Sequence, residues 1–493
     1  MIKYCVDCNK ERKGSQVMKS KIAMINLIIV GICVLLVSGI SPAFAGESEA
    51  SFRYRELEEG TVKLVGFQGE PQETVKVPAT LKDKKVTVIG EEAFRNYSIR
   101  SVVLPRGLLE IEPYAFANNS IEEMVLPDTI EYIGEGAFGN NQLKSLHLPS
   151  SLRNIEVWAF RKNQIEELTF EEGLETIGSG AFRGNKVKSL ILPQGLKTIE
   201  SFAFDNSQLE SITFPETTQS IGVGAFRGNN LQELLLPQGL RELGERAFID
   251  NQLKGVTFQG SLDRIPSRAF QSNGIEEVVF PKGLKVLGEA SFQDNQLKEV
   301  QLPMGVERVE AFAFRNNQIE NLELPGSLRI VENSGFRDNR LTELFLLRGL
   351  EEIHRGAFMG NRLEKVEFPS GLREISVNGF RDNQLQTVNL PETLEVLGRY
   401  AFYQNPVEEL RLPEGLQEST DIEDIIGPQA LEDQQEQGNL QSDGEEGYAG
   451  EAFGLFDLWQ RYQPIFAGIT FFMILLGTLI LGKYLYQEMN RHP

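Results

Sequence analysis

One phenylalanine returns every 22 residues from Phe94 to Phe402 without a slip, fifteen times in all. The residue before it is alanine, with Ser291, Gly335 and Gly379 as the exceptions. Self-similarity at a fixed period of this size marks a solenoid or array, in which each unit buries its apolar face only against its neighbours. That excludes a chain with one closed core. The length of 493 residues therefore counts turns and not domains.

With phenylalanine as position zero, every repeat carries an aliphatic residue, methionine or phenylalanine at +5, +8 and +10, as in Leu143, Leu146 and Leu148. This L-x-x-L-x-L spacing is a strand signature. Position +11 is proline in twelve repeats, with Glu171, Gln259 and Leu347 departing. A proline there removes a ladder donor and ends the strand. Apolar residues recur at +14 and +17, such as Leu152 and Ile155. With the following Ala-Phe, that spacing predicts a short helical or 3₁₀ turn lying back on the strand. Asparagine fills +3 in thirteen repeats, Tyr97 and Ser207 excepted. Asparagine bonds the backbone of its own turn readily, so the column predicts an internal ladder. Fifteen strands at ~4.8 Å predict a parallel sheet roughly 70 Å long.

The outward positions carry the candidates for function. Position +6 alternates in sign over much of its length (Arg100, Glu122, Lys144, Glu166, Lys188, Glu210). Opposite charges side by side on adjacent strands fix register. Position +1 is arginine in seven repeats, which predicts a solvated edge. Position +9 lies between the inward +8 and +10 and so points outward from the sheet. Its first nine members are Val103, Val125, His147, Thr169, Ile191, Thr213, Leu235, Thr257 and Val279, mostly apolar or β-branched. The next six are mostly polar. Such a stripe fits a partner-binding surface on the concave face; plain β-propensity on an open sheet is the competing account.

Charge and the chain ends set the compartment. Seventy carboxylates face 49 Lys and Arg, the opposite of a nucleic-acid footprint. Residues 1–45 comprise an N-terminal extension and a secretory signal, with a basic start, the apolar run 25–40 and an Ala43-Phe44-Ala45 cleavage site. Cys5 and Cys8 have the spacing of half a zinc site, but no second ligand pair follows, so the stretch reads as an upstream extension. All three cysteines lie within residues 1–33, so the exported protein is expected to hold no disulfide. Residues 46–90 alternate valine and isoleucine and predict a β-rich cap, followed by the solenoid at 91–416. Residues 417–463 carry eleven carboxylates between Glu418 and Glu451 and no Lys or Arg there, as in a disordered, self-repelling stalk. The segment 464–482 is long and apolar enough for a transmembrane helix, with Trp459 and Tyr462 on one flank and Tyr484 and Tyr486 on the other. Lys483 and Arg491 in the tail 483–493 place the C-terminus in the cytoplasm and the repeats outside. Together these ends point to a single-pass protein of a bacterial plasma membrane.

The unit running from Leu143 to Phe160, or from Ile165 to Phe182, resembles the BspA-like leucine-rich repeat family of bacterial and protist surface proteins. The resemblance covers about residues 52–416. This chain carries asparagine where that family commonly has cysteine. The resemblance implies an α/β-type or mostly β leucine-rich repeat solenoid with its parallel sheet on the concave face. It also implies adhesion or surface recognition, with an extracellular protein or glycan as partner.

An enzyme is the rival class. The histidines are His147, His354 and His492, and the repeats contain no insertion in which a catalytic constellation could be built. No cofactor or metal is expected, and no nucleic acid. The expected function is a membrane-anchored binding protein, with a passive or self-associating envelope spacer as the alternative.

Overall fold

The computed structural model describes residues 52–69, 73–417 and 421–427. The signal segment, the span expected at 464–482 and the tail 483–493 lie outside the described residues. Among the described residues no helix is long and apolar enough to cross a membrane.

The chain opens with five strands: β1 (Phe52–Glu56), β2 (Val62–Phe67), β3 (Thr74–Lys76), β4 (Thr80–Leu81) and β5 (Lys84–Ile89). β1 pairs antiparallel with β2, and β2 parallel with β5. β5 then pairs with Glu110–Ile111 of the first full repeat. Phe67 meets Phe94 edge-on at 4.9 Å between centroids, and Phe52 does so at 6.1 Å. The strands thus cover the first ring of a column that would otherwise face water.

That column is the core. All fifteen repeat phenylalanines are fully buried. Successive rings stack nearly parallel, from 5.2 Å at Phe94–Phe116 through 5.7 Å at Phe248–Phe270 to 5.6 Å at Phe380–Phe402. Offset stacks of this kind add ~0.5–1.5 kcal/mol per pair beyond the area they bury. The preceding residue stays small because it too is buried against its neighbours.

Three rows of backbone hydrogen bonds join each turn to the next. The first is the strand at +7 to +9, in zero register: Ser189–Ile191 lies directly beside Ser211–Thr213. This row is a series of two- and three-stranded ladders and not one sheet. Proline at +11 accounts for its brevity. Where Glu171 and Gln259 replace proline, their amides bond the carbonyls of Leu148 (2.9 Å) and Leu236 (3.1 Å). Those two places have four-residue strands paired on both sides, Ser145–Leu148 with Glu167–Phe170 and Glu233–Leu236 with Gly255–Phe258. A third departure, Leu347, adds no such rung.

The second row corrects the expected helical turn. Positions +16 and +17 form a two-residue strand in every repeat where they are described, as in Thr176–Ile177 beside Thr198–Ile199. The apolar spacing of three that imitates a helix arises because +14 and +17 point inward from either side of a bend. The solenoid is therefore mostly β, and the helix described within its repeats is the short Glu414–Gln417 at its end. This row breaks between Leu243 and Arg264. Pro266 occupies the position whose amide elsewhere donates across it, as Gly244 does to Ile221 and Gly288 to Ile265. A second break, between Ile133 and Asn154, has no comparable substitution.

The third row lies at the corner around the phenylalanine. Amides at −2, 0 and +2 donate to the next repeat, as Gly136 to Val157, Phe138 to Ala159 and Asn140 to Arg161. Positions −2 and +2 are left-handed in all fifteen repeats, with φ between 53° and 72°.

The asparagine column behaves as expected. Asn251 Nδ2 donates to the carbonyls of Phe226 (3.0 Å) and Phe248 (3.1 Å), and its Oδ1 accepts from the Leu231 amide (3.2 Å). Each asparagine thus satisfies buried backbone in its own turn and in the preceding one. Ser207 supplies the donor to Phe182 (2.9 Å) but no carbonyl oxygen.

At the far end Asp421–Gly427 folds back on the last repeat. Tyr400 and Phe402 donate to the carbonyls of Asp424 (2.6 Å) and Ile425 (3.1 Å), and Ile425 is buried. The disordered stalk expected from residue 417 thus does not include 421–427, because Ile425 closes the open end of the core. The rest of the expected stalk, from residue 428 on, lies outside the described residues.

Candidate functional site

Two surfaces stand out. On the strand face, Val103, Val125, Ile191, Leu235 and Val279 are all exposed, Val125 at 82% and Ile191 at 69%. Thr169 and Thr213 are exposed and Thr257 is half-buried. Zero register sets the members side by side, Leu235 beside Thr257 beside Val279. The row is interrupted at His147, whose Nδ1 lies 2.9 Å from Thr169 Oγ1 and whose Nε2 lies 3.4 Å from Glu171. Glu171 is held below the usual carboxylate range first by the Ser150 hydroxyl, then by the Ser150 amide, with a smaller part from His147. Phe345 adds an exposed ring beyond the nine. The alternating charges at +6 pair in places only, Lys144 with Glu122 at 2.7 Å and Lys188 with Glu210 at 3.6 Å. Among the described residues Lys254, Glu276 and Lys298 form no ion pair, so register rests on the backbone rows and the rings.

The second surface was missed. Position −2 carries bulky aromatics in Tyr114, Trp158 and Phe202, each followed one repeat later by Gly136, Gly180 and Gly224. A β-carbon at Gly136 would lie 2.6 Å from the Tyr114 ring, one at Gly180 2.7 Å from Trp158, and one at Gly224 2.7 Å from Phe202. A side chain at any of these three glycines would collide with the ring of the preceding repeat. The +1 arginines, expected on a solvated edge, pack on these rings: Arg95 at 5.3 Å from the Tyr114 centroid, Arg161 at 5.2 Å from Trp158, and Arg227 at 5.5 Å from Phe202. The signal was present in the sequence as an alternation of aromatic and glycine at every second repeat.

Between Tyr114 and Trp158 the corner opens into a depression of about 170 Å³. It is lined by the small residues Gly136, Ala117 and Gly139 and by Arg95 and Arg161. One side is an amide ladder in which Asn118 donates to Asn96 (2.9 Å) and Asn140 to Asn118 (2.7 Å). Arg95 pairs with Glu92. The Tyr114 hydroxyl donates to Glu135, which together with burial raises its pKa above the ordinary tyrosine value. Arg161 forms no ion pair with any described residue. Among the described residues no cluster could hold a metal ion.

A solenoid of parallel strands with this repeat and asparagine ladder is a leucine-rich repeat scaffold. The model of the BspA type leucine rich repeat region matches residues 67–187, 154–276, 263–383 and 351–422, and the chain belongs to that family. Solved structures similar to the chain include a leucine-rich repeat protein from Bacteroides ovatus, 22% identical with a TM-score of 0.44, covering 65% of this chain and 92% of that one. A leucine rich cell surface protein from Faecalibacterium prausnitzii is 18% identical with a TM-score of 0.37, covering 80% and 100%. The pneumococcal vaccine antigen PcpA is 20% identical with a TM-score of 0.35, covering 75% and 98%. No curated protein matches the chain.

Proposed function

We propose that the chain is a membrane-anchored surface protein that binds an extracellular protein or glycan through its strand face and performs no catalysis. The observation that carries this reading is the set of exposed apolar side chains Val103, Val125, Ile191, Leu235 and Val279 along the strand face, whose short ladders pair in zero register. Isolated apolar residues on a surface are ordinary, whereas a row of them is a recognition feature. The secretory signal and the apolar segment 464–482 support a position on the outer side of a plasma membrane. The test is saturable binding of the full-length chain to a panel of extracellular matrix proteins, glycans and whole cells. Changing Val103, Ile191, Leu235 and Val279 together to glutamate should abolish binding while leaving circular dichroism unchanged. Binding that survives this change, or a chain whose mass grows with its own concentration and which binds nothing else, would replace the reading with another face or with a self-associating spacer.

A further inference from the structure

We infer that the corner depression between Tyr114 and Trp158 is a second binding site, separate from the strand face, and that it takes a carboxylated sugar. Three observations converge. The first is backbone strain. Position −2 must be left-handed in every repeat, and glycine meets that need without cost. Tyr114 and Trp158 hold this conformation at φ of 56° and 58°, where it is a genuine outlier for bulky residues, as it is at Phe202, Phe312 and Tyr400. Strain of this kind persists where the surroundings enforce it and clusters at binding sites. Neither ring is needed to complete the buried column, and Trp158 remains 39% exposed.

The second observation is the absence of side chains where the next turn could have filled the space. Position +1 is Ala117 and Gly139 between the two arginines. Two repeats beyond Arg161, Asp205 occupies the equivalent position and fills the corner under Phe202, fully buried between Arg183 (2.8 Å) and Arg227 (2.8 Å). The third is the chemistry left unused. Arg161 has no carboxylate partner although the chain bears a net charge of −21. Asn140 ends the amide ladder, and its Oδ1 accepts no hydrogen bond among the described residues.

The part of Trp158 that stays exposed beside Arg161 presents aromatic negative charge to the C–H face of a pyranose. The free guanidinium matches a carboxylate in two-point geometry, and the terminal amide oxygen accepts from a hydroxyl. The volume suits one sugar ring. A neutral sugar would leave Arg161 unused, and a free small anion would leave the aromatic face unused. Asp205 already plays the carboxylate's part at the Phe202 corner, which shows what group the geometry accepts.

Trp158 is one of two tryptophans, so it reports directly on the site. In the full-length chain carrying Trp459→Phe, titration with a galacturonate trimer and with sialyllactose should change tryptophan emission saturably, while lactose should not. Arg161→Gln, which removes no ion pair, should weaken binding about tenfold. Trp158→Ala, followed by calorimetry, should weaken it by a similar factor. The glutamate changes on the strand face should leave the emission response intact, which separates this site from the function proposed above. Equal response to lactose, unchanged affinity in Arg161→Gln, or no response to either acidic sugar at millimolar concentration would each overturn the proposal.

Discussion

The Phe202 corner and the Tyr114–Trp158 corner are built from the same parts, yet one is closed and the other open. Both set a left-handed aromatic over a glycine and both bring arginines onto the ring. At Phe202 a buried aspartate binds both guanidiniums, and Arg227 is held further into its charged form by that bond before any other cause. At Tyr114–Trp158 the equivalent positions are Ala117 and Gly139, and the charge of Arg161 stays unspent. The difference shows that repeat geometry decides where side chains meet. The single residue at +1 decides whether the meeting is internal or offered to a ligand.

The sharpest way to break this contrast is Asp205→Asn. It strands two guanidiniums against each other with one of them losing its bidentate partner, and should lower stability by about 2–3 kcal/mol after allowance for the partly exposed arginines. The shift of the urea midpoint measures it, and Arg161→Gln at the open corner should move that midpoint by less than ~0.5 kcal/mol. Next in size is Gly136→Ala. A β-carbon there meets the Tyr114 ring at 2.6 Å, and the left-handed backbone adds its own penalty, for about 1–2 kcal/mol together. Arg246 takes the same backbone conformation but follows Gly224, so no ring intrudes, and Arg246→Ala should cost little. A smaller and oppositely signed pair is Trp158→Gly and Phe202→Gly. Relief of strain should leave Trp158→Gly unchanged or up to ~1 kcal/mol more stable, whereas Phe202→Gly should lose about 1 kcal/mol through its arginines. Thermal unfolding of both variants decides this, and a clear loss in Trp158→Gly would make that ring structural. The smallest effect concerns pH. The Tyr114 phenol has a raised pKa, mainly through its bond to Glu135. Its contribution is thus full below the ordinary tyrosine range and lost as pH rises through the raised value. Ultraviolet titration should show Tyr114→Phe missing one late-ionising phenol, and the Phe202 corner has no counterpart.

Much of the fold was legible because its determinants recur in identical form. Phe94 and its fourteen successors, and asparagines such as Asn251, perform one task in every turn and therefore stand out as columns. The second strand was not legible, because residues such as Leu152 and Ile155 show the same apolar spacing on a bend as on a helical turn. The strand face could be read from alternation, and the structure does set Val125 and Ile191 outward. The corner escaped because position −2 is defined by backbone conformation and not by residue type. Tyrosine, glycine, tryptophan, arginine and serine all stand there with the same φ, so no single-letter column forms.

The alternation of ring and glycine has one more consequence, for how such a chain can lengthen. Where every turn is interchangeable, one 22-residue unit can be duplicated and everything beyond it moves outward by one strand spacing, ~4.8 Å. Between Tyr114 and Gly224 that freedom is halved. Copying the Trp158 turn alone would stack indole upon indole with no glycine to receive the first. This stretch can grow only in pairs, so the molecule is a ruler with two gradations along its length.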